Sequence, residues 1–200
     1  LNYGNGIPGL KAQLRVEDFQ TIDPDLADID RPYARLPQLL VNYTKGDVQG
    51  LEFEFNNDTA YFKKNIRNFE NQAEPNGTRI FNEMALRYNL KQPWGFVVPE
   101  VSVRSLNNFY DQDTVENANF RSNSEDKSVV VPQFTLDTGL TFEREGKYLQ
   151  TLSPRAFYAY APHQNQDDYP NFDSTAASLN YDQLFNPKRF YGHDRLEDNN

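Results

Sequence analysis

The stretch "FTLDTGLTFE", residues 134–143, decides the fold. Phe134, Leu136, Thr138, Leu140 and Phe142 fall on one side of an alternation. Thr135, Asp137, Gly139, Thr141 and Glu143 fall on the other. That is the two-residue period of a strand, not the 3.6-residue period of a helix. The same period runs through "IFNEMALRYNL", where Ile80, Met84, Leu86, Tyr88 and Leu90 oppose Phe81, Glu83, Ala85, Arg87 and Asn89, with Asn82 as the polar exception. "LEFEF" repeats it more briefly, setting Leu51, Phe53 and Phe55 against Glu52 and Glu54.

Weaker alternation near Leu10 to Phe19, Leu36 to Tyr43, Phe96 to Tyr110 and Tyr148 to Ala161 brings the expectation to about seven strands, with the start of an eighth near Arg189. The connections between them alternate in length. "TKGD", "KQPWG" and "EGK" are tight; the segments around Thr21 to Arg35, Lys64 to Gly77, Asp111 to Lys127 and Pro162 to Lys188 are long. Short turns at one end and long loops at the other are how outer-membrane barrels sort their connections. Roughly ten tilted residues cross the hydrocarbon layer, and every backbone polar group there must be paired. The chain is therefore expected to be all-β, an antiparallel up-and-down meander forming an arc of a large transmembrane barrel, with residues 1–200 as one partial barrel domain. The start at Leu1 and the stop within "RFYGHDRLEDNN" are read as two cut ends of a longer chain.

The aromatic residues give a further test. Tyr158, Tyr160, Tyr110, Phe109, Tyr61 and Phe62 stand near strand ends that lead into long loops, where an interfacial girdle belongs; core aromatics of a soluble β-protein fit equally. On the girdle reading, "FYAYAP" is the last membrane-level turn of a strand and "HQNQDDYPNFDS" the water-exposed loop beyond it. Pro99, Pro132 and Pro154 strain the pattern, because proline cannot donate to a ladder and belongs at strand starts or bulges.

Composition narrows the function. Mean hydropathy is low, at -0.81, yet 15 Phe and 12 Tyr require that something apolar be covered. Twenty Lys plus Arg against 29 Asp plus Glu give a net charge of -9, which argues against a nucleic-acid reader. No cysteine is present to bind metal or form a disulfide. Neither His163 nor His193 has a Cys or a second His at metal-ligand spacing in the sequence. "DQDTVE" from Asp111 and "DPDLADID" from Asp23 lack the glycine turn and distal Glu of a calcium loop. Glu52, Glu54, Glu100 and Glu143 offer paired carboxylates, but alternating Glu is also what a water-filled lumen contains. No metal or cofactor is expected, and the residues favour a conduit over an enzyme.

Four stretches in order, "RPYARLPQLLVNY" from Arg31, "VVVPQFTLDTGLTFER" from Val129, "QTLSPRAFYAYAPHQNQDDYPNFDS" from Gln150 and "LFNPKRFYGHDRLEDNN" from Leu184, resemble the central part of the C-terminal barrel of the LptD family of LPS-assembly proteins. The resemblance implies an outer-membrane translocon that inserts lipopolysaccharide into the outer leaflet. It implies the LptE lipoprotein as lumen plug, outer-membrane lipids as surroundings, and a periplasmic Lpt bridge acting through a domain not present here. It also makes Pro162 to Lys188 a long extracellular loop, with Asp173, Asp194 and Arg195 as candidates to pair within it, at its base, or with a partner. Two alternatives are another barrel such as a porin and a soluble secreted β-protein that binds carbohydrate.

Overall fold

The computed structural model describes residues 2–3, 6–20, 22–23, 25–26, 30–64, 75–111, 126–166, 169–178 and 180–196. Its strands are β1 (Asn2–Tyr3), β2 (Leu10–Glu17), β3 (Ala34–Val48), β4 (Leu51–Lys63), β5 (Asn76–Tyr88), β6 (Leu90–Gln92), β7 (Gly95–Asp111), β8 (Lys127–Leu140), β9 (Phe142–Arg144), β10 (Gln150–Leu152), β11 (Arg155–Tyr160), β12 (Thr175–Ala176) and β13 (Phe190–Tyr191). One main sheet runs β1-β2-β3-β4-β5-β7-β8-β11, with β6 paired to β7, and consecutive neighbours are antiparallel. The expected meander is present, and its path ends at β1 and β11, so the sheet is open and not a closed barrel. Among the described residues no helix is long and apolar enough to cross a membrane, which says nothing about crossing by strands.

The polarity of the sheet is inside out. Cross-strand partners share a face, so the register defines two faces. One row carries Phe55, Met84, Val103 and Pro132; the row on the other face carries Asp58, Phe81, Leu106 and Val129. The first face is open: Met84, Leu86, Val101, Val103, Phe134 and Leu140 are each 38% exposed or more. Across Leu51–Tyr61, Thr78–Tyr88, Val97–Phe109, Ser128–Leu140 and Ala156–Tyr160, no position on it is charged. The second face is covered, yet it is where Asp58, Arg79, Glu83, Ser102, Arg104, Asn108, Gln133 and Thr135 are buried. A water-soluble sheet has the opposite arrangement.

Several local expectations need correction. The β3–β4 turn is Gln49–Gly50, not "TKGD", because a two-residue hairpin wants positive φ at both central residues and these two have 58° and 88°. β4 runs on past Phe55 to Lys63, since Asn56 and Asp58 face the covered side and Asn57 pairs with Asn82 across the open one. Pro99 and Pro132 sit inside regular strands. Pro99 lies opposite the break between the last β5 pair, Arg87–Glu100, and the first β6 pair, Leu90–Val97; Pro132 lies two residues past the last β8–β11 pair, Phe134–Tyr160. In each case one neighbouring ladder has stopped, so a missing N–H costs little. Pro154 separates β10 from β11.

The strand expected near Arg189 is the two-residue β13, which pairs with β12 in a separate sheet and does not extend the meander. The segment after β11 is likewise not a water-exposed loop: Ala161, Gln166, Phe172, Ser174, Asp194 and Leu196 are buried. It folds back over the sheet. Leu196 and Ala161 join Phe81, Leu106, Val129 and Val131 in one apolar cluster, and Phe172 joins Tyr33, Ala60, Phe62 and Tyr110 in another. Burying a ring such as Phe172 is worth about 1.5–3 kcal/mol, enough to draw this segment out of water. The girdle residues divide by parity. Tyr158, Tyr160 and Phe109 are exposed on the open face; Phe62 and Tyr110 are buried under the returning segment. The acidic run from Asp111 lies almost wholly outside the described residues, as does part of the run from Asp23.

Candidate functional site

The returning segment is fastened to the sheet at one guanidinium. Arg79 is the fourth residue of β5; its alternation with Ile80 turns it to the covered face, beside Ala60 on β4 and Asn108 on β7. Its side chain is wholly buried. One terminal nitrogen donates to Asp194 Oδ1 at 2.8 Å and also to Asp173; the other donates to Asp173 Oδ2 at 3.1 Å and to Asp58 Oδ2 at 3.4 Å. The guanidinium carbon lies 4.6 Å from the Phe62 ring centroid, a cation–π distance. Arg35 on β3 supplies a second cation, donating to Asp173 Oδ2 at 3.1 Å and to Glu17 Oε2 at 2.8 Å. Four carboxylates, those of Asp58, Asp173, Asp194 and Glu17, surround the two guanidiniums, so each buried charge has an opposite partner, which is what burial of charge demands.

The loop is shaped to present these carboxylates. Asp194 Oδ2 accepts the backbone N–H groups of Phe172 and Asp173 at 2.9 and 2.8 Å, and its own N–H donates to Ser174 Oγ at 2.7 Å. Gly192 takes a φ of 84°, and a Cβ there would come within 2.7 Å of Ser174 Oγ. Phe172 stacks on Phe62 with centroids 4.6 Å apart and meets Tyr33 edge-on at 5.1 Å. Burial alone would favour protonated Asp173, but the hydrogen bonds and charge of Arg79 outweigh it and hold the carboxyl at about 2. His193 stacks on Phe81 at 4.0 Å. Burial first, and then the Arg79 charge, drive it down to about 4, so at neutral pH it is an uncharged ring beside Asp58.

Further contacts hold the segment along its length. Lys188 Nζ donates to Glu83 Oε2 at 3.0 Å, and the Arg155 guanidinium lies 4.2 Å from the Phe185 ring while pairing with Asp137. Between the segment and β2–β5 remains a hollow of about 670 Å³, lined among others by Lys11, Asn42, Asn56, Asp58, Glu83 and His193. Among the described residues no group of His, Cys, Asp or Glu is placed to hold a metal ion. Of the carboxylates singled out from the sequence, Glu52, Glu54 and Glu100 gather around Arg87; Glu143 lies apart from them on exposed β9.

The structure brings Asp173 and Asp194 together, but on Arg79 and not on Arg195. Arg195 donates to the backbone carbonyls of Tyr169 and Asp194 at 2.6 and 3.2 Å and so braces the loop from within. Arg79, Arg35, Asp58 and Phe172 were not singled out from the sequence. The one available signal for Arg79 was its place on the non-lipid side of an alternating strand.

An antiparallel meander whose open face is mostly apolar and uncharged across the middle of β4, β5, β7, β8 and β11, and whose other, charged face is hidden beneath a returning segment, has the surface pattern of outer-membrane barrel wall. The particular kind follows from comparison with known proteins. The family model for LPS transport system D, LptD, matches residues 2–200, and the chain belongs to that family. It is 68% identical over its whole length to the LPS-assembly protein LptD of Acinetobacter baumannii, covering 24% of that protein. It is 37% identical over 99% of its length to the protein of the same name from Psychrobacter cryohalolentis, covering 21% of it, and 33% identical over 96% to that of Hahella chejuensis, covering 24%. The chain thus spans about a quarter of the length of the curated relatives it matches.

Proposed function

We propose that this chain is an arc of wall from the central part of the C-terminal barrel of an outer-membrane lipopolysaccharide translocon, residues 1–200 forming one partial barrel domain. The open face meets hydrocarbon; the covered face meets the lumen. The observation that carries the reading is the polarity of the sheet. Outward charges cost about 2–4 kcal/mol at the bilayer midplane, and the open face has none between the ends of five strands, from Leu51 to Tyr61 on β4 and from Val97 to Phe109 on β7, whereas the covered face is dense with them. Family membership supports lipopolysaccharide as the cargo and argues against the porin and soluble sugar-binding alternatives.

On this reading the protein breaks no bond. Its work is to hold a hydrated path beside the lipid phase while the cargo moves toward the outer leaflet. Lipopolysaccharide arrives from the periplasmic Lpt bridge through another domain of the full-length protein. The LptE plug occupies lumen that this arc borders. The segment 161–196 narrows the lumen from the wall side, and the Arg79 node sets its position.

The test uses full-length protein in cells. Arg79→Ala and Asp194→Ala are expected to lower arrival of labelled lipopolysaccharide at the surface, measured per assembled molecule. Unchanged delivery by well-assembled variants would remove this arc from the transport path.

A further inference from the structure

The open face is apolar over most of its height, but not all of it. Beyond Phe55, Met84 and Val103, the next outward row holds Asn57, Asn82 and Ser105; the row after that holds Thr59, Ile80, Asn107 and Ser128. The side chains within this band are linked. Asn57 Nδ2 donates to Asn82 Oδ1 at 2.9 Å, Thr59 Oγ1 to Asn57 Oδ1 at 3.2 Å, and Ser128 Oγ to Asn107 Oδ1 at 2.8 Å. Each Asn carries two N–H donors and each Ser hydroxyl both donates and accepts. Asn57 uses both of its donors within the wall, since its Nδ2 also reaches the Phe81 carbonyl at 3.2 Å, so the band's capacity toward molecules outside the wall rests with the amides of Asn82 and Asn107 and the hydroxyl of Ser105. It lies on the long-loop side of the apolar block, and Tyr61 and Phe109 stand in the row past it.

We propose that this band is a binding shelf for the uncharged, polyhydroxylated part of a glycolipid headgroup standing in the leaflet beside the wall. The inference rests on the assignment of the open face to lipid. Amides and hydroxyls offer donors and acceptors together, as sugar hydroxyls require, and an aromatic ring at the margin gives the apolar face of a pyranose a surface to lie on. A phosphate shelf would be built from Arg or Lys, and no outward position of β4, β5 or β7 in this band is charged. Continuity supplies the rest: acyl chains against Phe55, Met84 and Val103 place their own headgroups at the level of Asn57, Asn82 and Ser105.

The experiment places a photoreactive benzophenone side chain at Leu86 or at Asn107 in full-length protein in intact outer membranes. Irradiation is expected to give lipid adducts at Leu86 and glycolipid adducts at Asn107. Asn82→Leu with Ser105→Ala should lower the Asn107 adduct about fivefold, the equilibrium equivalent of one net hydrogen bond, and leave the Leu86 adduct unchanged. Should that pair fail to assemble, Ser105→Ala alone is expected to show a smaller fall in the same direction. Lipid at Leu86 with only phospholipid or protein at Asn107 would overturn the shelf alone, as would an Asn107 adduct that the substitutions do not change. No lipid at Leu86 would overturn the assignment of the open face on which it rests.

Discussion

Arg79 and Asp194 stand 115 residues apart in the chain and meet at 2.8 Å, both side chains wholly buried. The contact spans the meander from β5 to the end of the returning segment. It converts a long connection into a fixed strap across one face of the sheet.

Removing one side of a buried charge pair strands the other, at a cost of about 3–5 kcal/mol. Arg79→Met is therefore expected to lower the melting temperature of the full-length protein sharply, and Arg79→Lys to rescue it only in part, because an ammonium lacks the fork that reaches Asp173 and Asp194 at once. Combining Arg79→Met with Asp173→Asn and Asp194→Asn should recover part of the loss. Thermal unfolding of the four proteins checks the ordering.

Phe172→Ala should release the strap without opening the sheet. The ring fills the space between Phe62 and Tyr33, and truncating a buried Phe costs about 3–5 kcal/mol. Limited proteolysis is expected to cut within residues 161–196 of the variant while the strand region stays protected. Cleavage within β3 to β8 would show instead that the ring supports the sheet itself.

Acid should loosen the strap in two stages. His193 is held down at about 4 against an ordinary 6.5, so below pH 6.5 the released segment binds a proton that the docked one does not, and docking weakens as pH falls toward 4. Asp173 is held at about 2 against 3.8; its contribution is full above 3.8 and fades as pH falls toward 2. Protease sensitivity of the segment across this range should show both stages. His193→Phe, which keeps a ring against Phe81, is expected to abolish the first and keep the second.

Charge on the open face should block assembly. Leu86→Arg and Val101→Arg each place a guanidinium at an outward position, at about 2–4 kcal/mol near midplane, whereas Glu54→Gln on the covered face should assemble close to normally. The amount of heat-modifiable full-length protein in outer membranes measures the difference.

Strands were legible where side chains obey one period. In "FTLDTGL", the part of the quoted run that lies in β8, every outward residue except Thr138 is apolar and every inward one is polar or glycine, so the face of Phe134 and Leu140 could be read directly, although the strand stops at Leu140 and Phe142 belongs to β9 in a separate sheet. β4 faded after Phe55 because Asn56, Asn57 and Asp58 break the contrast. Their polarity is met by neighbours on adjacent strands, Asn42, Asn82 and Gln38, which no local window contains. The tight turn was misplaced because "TKGD" and "VQG" both carry a glycine, and only the register makes Val48 and Leu51 partners. The strap was illegible for a different reason. It has no period, and its anchor lies 94 residues from Asp173 and 115 from Asp194. Asp173, Asp194 and Arg195 could be picked out as charges in need of partners, but a one-dimensional pattern cannot say that two of them share Arg79.

The polarity of the sheet can be measured along a single strand. Nitroxide labels placed one at a time from Val129 to Leu136 in full-length protein, reconstituted in bilayers, report relaxation by oxygen, which concentrates in hydrocarbon, and by a water-soluble nickel complex. Val130, Pro132, Phe134 and Leu136 should favour oxygen, and Val129, Val131, Gln133 and Thr135 should not, in strict alternation. Equal access on both sets of positions, or oxygen preference on the set that includes Gln133, would contradict the account.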